Sequence, residues 1–212
     1  MLVFSIVIVV FSLTIHEVCH GLTALALGDR TAQEKGRLTL NPLKHLNPYG
    51  TIAMLLFGFG WAEPVPITPV RFKRKINMRA GVAIVSVAGP LSNFILSIIA
   101  AFGMEFALKG LVGLSDPYNS PLYLVYIFFS MMHNMNIMLA IFNFIPVPPL
   151  DGSKILFSFL PDRVYWKIMK YEQYLAIGLV VLLYIGVLDG PLSFIVSGVS
   201  NGILSLVSKI VF

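Results

Sequence analysis

Residues Leu2–Leu27 read LVFSIVIVVFSLTIHEVCHGLTALAL, an apolar run long enough to cross a bilayer as a helix. In its second half stand His16, Glu17 and His20, in the pattern H-E-x-x-H. Ionisable side chains in hydrocarbon are expensive and are rarely kept without a function. Positions i and i+4 lie on one helix face, so His16 and His20 can hold one metal ion together, best matched by Zn²⁺. Glu17, beside the first histidine, is placed to take a proton from an activated water. The competing reading is a pair of polar positions facing a neighbouring helix.

The rest of the chain supports a membrane setting. It has 212 residues, 57% hydrophobic and 12% charged, whereas soluble domains are about a quarter charged. The one cysteine, Cys19, excludes an intrachain disulfide framework. It reads as a small packing residue rather than a nucleophile or a metal ligand. Met1–Leu13 lacks a basic leader, so we read it as part of the first span, not as a signal peptide. Further apolar runs at Ala80–Leu108, Leu122–Ile145, Tyr171–Leu188 and Leu192–Phe212 predict a polytopic all-α membrane protein of about five to six transmembrane segments. We expect one integrated domain over 1–212, with a catalytic core at about 1–160 and additional C-terminal spans at 171–212.

The connection Gly28–Asn77 is unusual. Alternation at Arg37-Leu38-Thr39-Leu40, flanked by glycine and proline, predicts short strands or a membrane-associated β-hairpin. Gly36–Leu40 and Trp61–Thr68 are the candidate edges for pairing an extended substrate. Ile52–Trp61 is apolar but too short to span, which suggests a re-entrant segment. Within the second span, Gly89-Pro90 and Asn93 predict a kink or a close helix contact.

Charge gives the sides. Nine of the fifteen basic residues fall between Arg30 and Arg79, and Arg163, Lys167 and Lys170 lie in a later linker. The positive-inside rule puts both stretches in the cytoplasm, the N-terminus outside and the turn Asp189–Pro191 outside. His16 then lies roughly 15 Å above the cytoplasmic end of its span. The basic residues lack interleaved aromatics, so anionic lipid headgroups, not nucleic acid, are their expected neighbours.

A catalytic zinc site needs a third protein ligand. His45, His133, Glu105 and Asp151 are the candidates. Asp151 is best placed: it follows the break Pro146-Val147-Pro148-Pro149 after the third span, and an aspartate between apolar segments needs a counter-charge. It could instead cap the helix beginning at Ser153. His45 reads as a loop residue, His133 as a bond across helices, and Glu105 as too near the outer face.

HEVCHG at His16–Gly21, paired with NFIPVPPLDG at Asn143–Gly152, resembles the site-2 protease family of intramembrane zinc metalloproteases. LTLNPLKHLNPYGT at Leu38–Thr51, FGWAEPVP at Phe59–Pro66 and AGPLSN at Ala88–Asn93 agree, so the likeness covers about Phe11–Phe159. It is to the compact bacterial and archaeal members without a PDZ domain; we read as departures that no nucleotide-binding domain follows the fifth span and that the span found before the catalytic one in some members is missing. The resemblance implies His16, His20 and Asp151 as ligands of one Zn²⁺ and Glu17 as the catalytic carboxylate. It implies Asn143 beside the substrate carbonyl or oxyanion, and transmembrane proteins as substrates. A membrane zinc protease that pairs H-E-x-x-H with a later glutamate, or a metal transporter, fits the sequence less well.

Overall fold

The computed structural model describes residues 1–45, 47, 50, 63–73 and 75–212. The helices bounded within the described residues are α1 (Leu2–Leu27), α2 (Thr31–Glu34), α3 (Met78–Leu111), α4 (Pro121–Asn143), α5 (Asp151–Phe157), α6 (Asp162–Met169), α7 (Glu172–Tyr184) and α8 (Asp189–Val211). Single 3-10 turns lie at Pro42–Lys44 and Pro69–Arg71. Among the described residues α1, α3, α4 and α8 are long and apolar enough to cross a membrane.

Local chemistry sets the helix starts. The Asn77 side chain accepts from the Arg79 amide at 2.9 Å and begins α3. Ser120 does the same for α4, with Pro121 in the first turn where its missing N–H costs nothing. At 34 residues α3 is the axis of the bundle, packing against α1, α4, α8 and the short α5. Small residues permit this. Ala100, Ala101 and Ala107 are buried, and Phe129 and Leu122 of α4 lie over Gly103 and Gly110.

Residue pairings give the directions. Ile8 meets Ala100 and Ala24 meets Val85, so α1 is antiparallel to α3. His133 bonds to the Ser97 carbonyl and Asn136 to Asn93, so α4 is antiparallel too. Ser200 lies level with Ser97 through His133, and Lys109 Nζ reaches the Val211 carbonyl, so α8 runs parallel to α3.

Three expectations are corrected. The β-hairpin is not found: the described part of the connection, Gly36–Leu40 and Glu63–Thr68 included, contains no strand. Its alternation serves separate anchors, with Leu38 lying over Gly21 of α1 and Arg37 turned to Glu63. The re-entrant reading of Ile52–Trp61 lies outside the described residues. Among the described residues four helices, rather than the expected five to six, are long and apolar enough to span. The run Tyr171–Leu188 folds into the 13-residue α7 followed by a turn at Gly186, about 20 Å of helix against a hydrocarbon core of about 30 Å. Because α8 then runs parallel to α3, Asp189–Pro191 lies at the same end as Met78, not at the opposite face.

Candidate metal centre

His16 and His20 stand one turn apart on the buried face of α1, where it crosses α3. Asp151 opens α5, directly after the proline-rich break. Gly152 makes that approach possible, since a Cβ there would strike the Phe144 and Ile145 carbonyls at the end of α4. The three side chains meet: Asp151 Oδ2 lies 3.1 Å from His16 Nε2 and 3.0 Å from His20 Nε2, and the two Nε2 atoms are 3.0 Å apart. All three residues are buried. Asp151 makes no side-chain cap of its helix; its other oxygen receives Lys154 Nζ at 2.9 Å.

Hydrogen bonding on the far side of each ring fixes the chemistry. His20 Nδ1 lies 2.7 Å from the Val85 carbonyl, and His16 Nδ1 lies 2.6 Å from Asn93 Oδ1. Both partners are oxygens that only accept, so each Nδ1 carries a proton and donates it. In the neutral rings the two Nε2 atoms are then lone-pair acceptors, and Asp151 Oδ2 is a third. Three acceptors converging at about 3 Å repel one another unless a cation sits among them. Two imidazole nitrogens and one carboxylate oxygen are the donor set of a catalytic zinc. Space has been left for it as well. A Cβ on Gly89 of α3 would lie within 3 Å of both Nε2 atoms. The residues therefore fit a divalent metal, His16, His20 and Asp151 being those that would hold it.

Glu17 is half-buried beside this cluster, and its Oε2 accepts from the Val65 amide at 2.8 Å. Asn143, the last residue of α4, is not drawn into the cluster: its amide donates to the Leu139 carbonyl of its own helix. The other candidate ligands lie elsewhere. His45 is buried in a turn with Nε2 on the Thr39 carbonyl. His133 is satisfied between Ser97 and Ser200. Glu105 is buried in α3, sixteen residues and so about 24 Å beyond Gly89. Cys19 is half-buried and outside the cluster.

Sequence reasoning missed Asn136, the Val65 amide and Lys154, and it noted Asn93 only as a kink neighbour and motif residue. The available signal was amide side chains inside apolar spans, which need partners there.

The model of peptidase family M50 matches residues 107–187, an interval that contains Asp151. The provisionally named zinc metalloprotease YwhC of Bacillus subtilis is 41% identical over 81% of this chain and 75% of its own length. Provisionally named Rip2 zinc metalloproteases of Mycolicibacterium smegmatis and Mycobacterium tuberculosis are 28% and 27% identical. This chain spans 63% and 66% of their lengths. No solved structure matches the chain. With its apolar helices and this likeness, the chain belongs to peptidase family M50, the site-2 protease family, and is an integral-membrane zinc metalloprotease.

Proposed function

We propose that the protein is an intramembrane endopeptidase that hydrolyses peptide bonds within membrane-spanning segments of other proteins. One Zn²⁺ per chain is held by His16, His20 and Asp151, and Glu17 is the general base and acid. The observation that carries this reading is the convergence of three buried acceptor atoms, two on the apolar α1 and one at the start of α5, where α1 packs on α3. His16 lies eleven residues before Leu27, about 16 Å into a hydrocarbon core of about 30 Å. The basic residues of 30–79 and 163–170 favour the cytoplasm for the nearer end.

Zinc, when bound, supplies the Lewis acidity that makes water nucleophilic near neutral pH and polarises the scissile carbonyl. Asp151 and the two Nε2 atoms hold it. Val65 holds Oε2 of Glu17, which leaves Oε1 to take the proton of the attacking water and return it to the leaving nitrogen. Asn143 spends one N–H of its amide on the Leu139 carbonyl, which leaves the second to donate to a developing oxyanion. The substrate helix must unwind before its carbonyl is exposed, because helical peptide bonds are engaged.

The test is a pair of variants in purified protein with a membrane-embedded reporter. Glu17→Gln keeps zinc and fold and loses cleavage by several orders of magnitude, since the amide cannot accept the proton. Asp151→Ala loses most zinc, whereas His45→Ala and His133→Ala keep it. Turnover by pure Glu17→Gln at the wild-type rate would sink the mechanism. Zinc retained by Asp151→Ala would sink the ligand set.

A further inference from the structure

Ser12 of α1, Asn93 of α3 and Asn136 of α4 are each 0% exposed and bonded to one another. A buried amide has two ends of nearly equal shape, and only its partners decide which is oxygen. Here every partner is determined. Asn136 Nδ2 lies 2.8 Å from the Met132 carbonyl and 2.9 Å from Ser12 Oγ. A carbonyl only accepts, so the NH₂ end of Asn136 must face it. Asn136 Oδ1 is thereby turned to Asn93 and accepts from its Nδ2 at 2.9 Å. The second hydrogen of that NH₂ group has the Ser12 carbonyl at 3.4 Å. Asn93 Oδ1 is left facing His16, and it obliges His16 Nδ1 to be the protonated nitrogen. The lone pair of His16 Nε2 then points to the metal position.

We propose that Asn93 and Asn136 are positioning residues for the zinc ligand His16. They pass a fixed donor–acceptor direction from the Met132 carbonyl to the imidazole, and so set its tautomer and orientation. His20 needs no such chain, because the Val85 carbonyl cannot turn round. The two histidines are thus held unequally, one by main chain and one by a side-chain series across three helices. Partners behind a metal-bound histidine carry about 10–100-fold in metal affinity. This inference rests on the metal reading above. The alternative role for such buried amides is plain adhesion between helices.

The two roles separate in zinc affinity and thermal stability, measured on purified protein in detergent by chelator competition and by unfolding. Asn93→Leu is near-isosteric and removes the acceptor behind His16, so zinc affinity falls about 10–100-fold. Asn136→Leu, which does not touch His16, shifts affinity in the same direction by freeing the Asn93 amide to turn. Asn93→Asp restores affinity, because a carboxylate accepts from Nδ1–H. It does not restore stability, because its second oxygen opposes Asn136 Oδ1. The Co²⁺-substituted protein should show a shifted d–d spectrum in Asn93→Leu and a wild-type-like one in Asn93→Asp. Wild-type affinity in Asn93→Leu would overturn the inference. So would parallel loss of affinity and stability in all three variants, which marks adhesion only. If Asn93→Leu does not fold, Asn136→Leu and Ser12→Ala decide by the same two readouts. Failure of the wild-type protein itself to bind zinc would overturn the metal reading instead.

Discussion

The amide nitrogen of Val65 lies 2.8 Å from Oε2 of Glu17, so a loop residue 48 positions away holds that carboxylate. The loop is itself clamped. Arg37 bonds to the Glu63 carboxylate at 3.0 Å and to its carbonyl at 2.6 Å, and the Glu63 amide bonds to the His45 carbonyl. Val65 is buried against the face of α1 that carries Gly21. Val65→Pro removes the donor and leaves His16, His20 and Asp151 untouched. A hydrogen bond to a charged group is worth about 1.5–3 kcal/mol. We expect cleavage of a membrane-embedded reporter to fall by about 10–100-fold with zinc content unchanged. Unchanged cleavage would mean that Glu17 needs no such anchor. Arg37→Ala, acting one step further back, should give a smaller loss.

Gly89 of α3 faces the Nε2 atoms of both histidines. Gly89→Ala places a methyl group within 3 Å of His16 and His20 Nε2. Overpacking of this kind costs about 1–3 kcal/mol, and here it falls on the ligand atoms. Zinc content by elemental analysis should drop sharply while the four spans still insert. Gly202→Ala on α8, with nothing near its Cβ, is the control and should leave zinc unchanged. Full zinc occupancy in Gly89→Ala would show that the ion lies elsewhere.

Asp29, just past the end of α1, predicts an acid-sensitive join. Burial raises its pKa, but bonds from the Thr31 hydroxyl, the Thr68 amide and the Thr31 amide, with Arg71 nearby, outweigh that and hold it below its ordinary value of 3.8. A depressed folded-state pKa stabilises the fold above the unfolded pKa, and this contribution is lost as pH falls through the folded one. At pH 7 Asp29→Asn should be less stable than wild type by about 1–3 kcal/mol. Thermal unfolding at falling pH should show the gap narrowing below about pH 4. A constant gap from pH 7 to pH 3 would refute the assignment.

Much of the site was legible because it breaks the rule of its surroundings. His16, Glu17 and His20 interrupt an apolar run, and Asp151 sits between two apolar segments, so each stood out in one dimension. The long spans were legible by hydropathy for the same reason. The hairpin was misread because Arg37-Leu38-Thr39-Leu40 alternates over only four residues, and two residues sent to separate anchors on α1 and Glu63 mimic that pattern. Tyr171–Leu188 was misread because an apolar run shows composition, not where the helix ends. The Asn93–Asn136 bond joins residues 43 apart, and no local pattern records such a pairing.

The separation of Asp151 from His16 and His20, 135 and 131 residues, also has a temporal side. Chains emerge N-terminus first, at about 5–20 residues per second. The first helix can enter the bilayer with both imidazoles and Glu17 in place, yet two histidines alone do not complete a catalytic zinc site. Asp151 arrives only after α3 and α4 have been made. His16, His20 and Asp151 therefore cannot meet until synthesis has passed residue 151, whereas the last two helices, α7 and α8, are still to be made at that point.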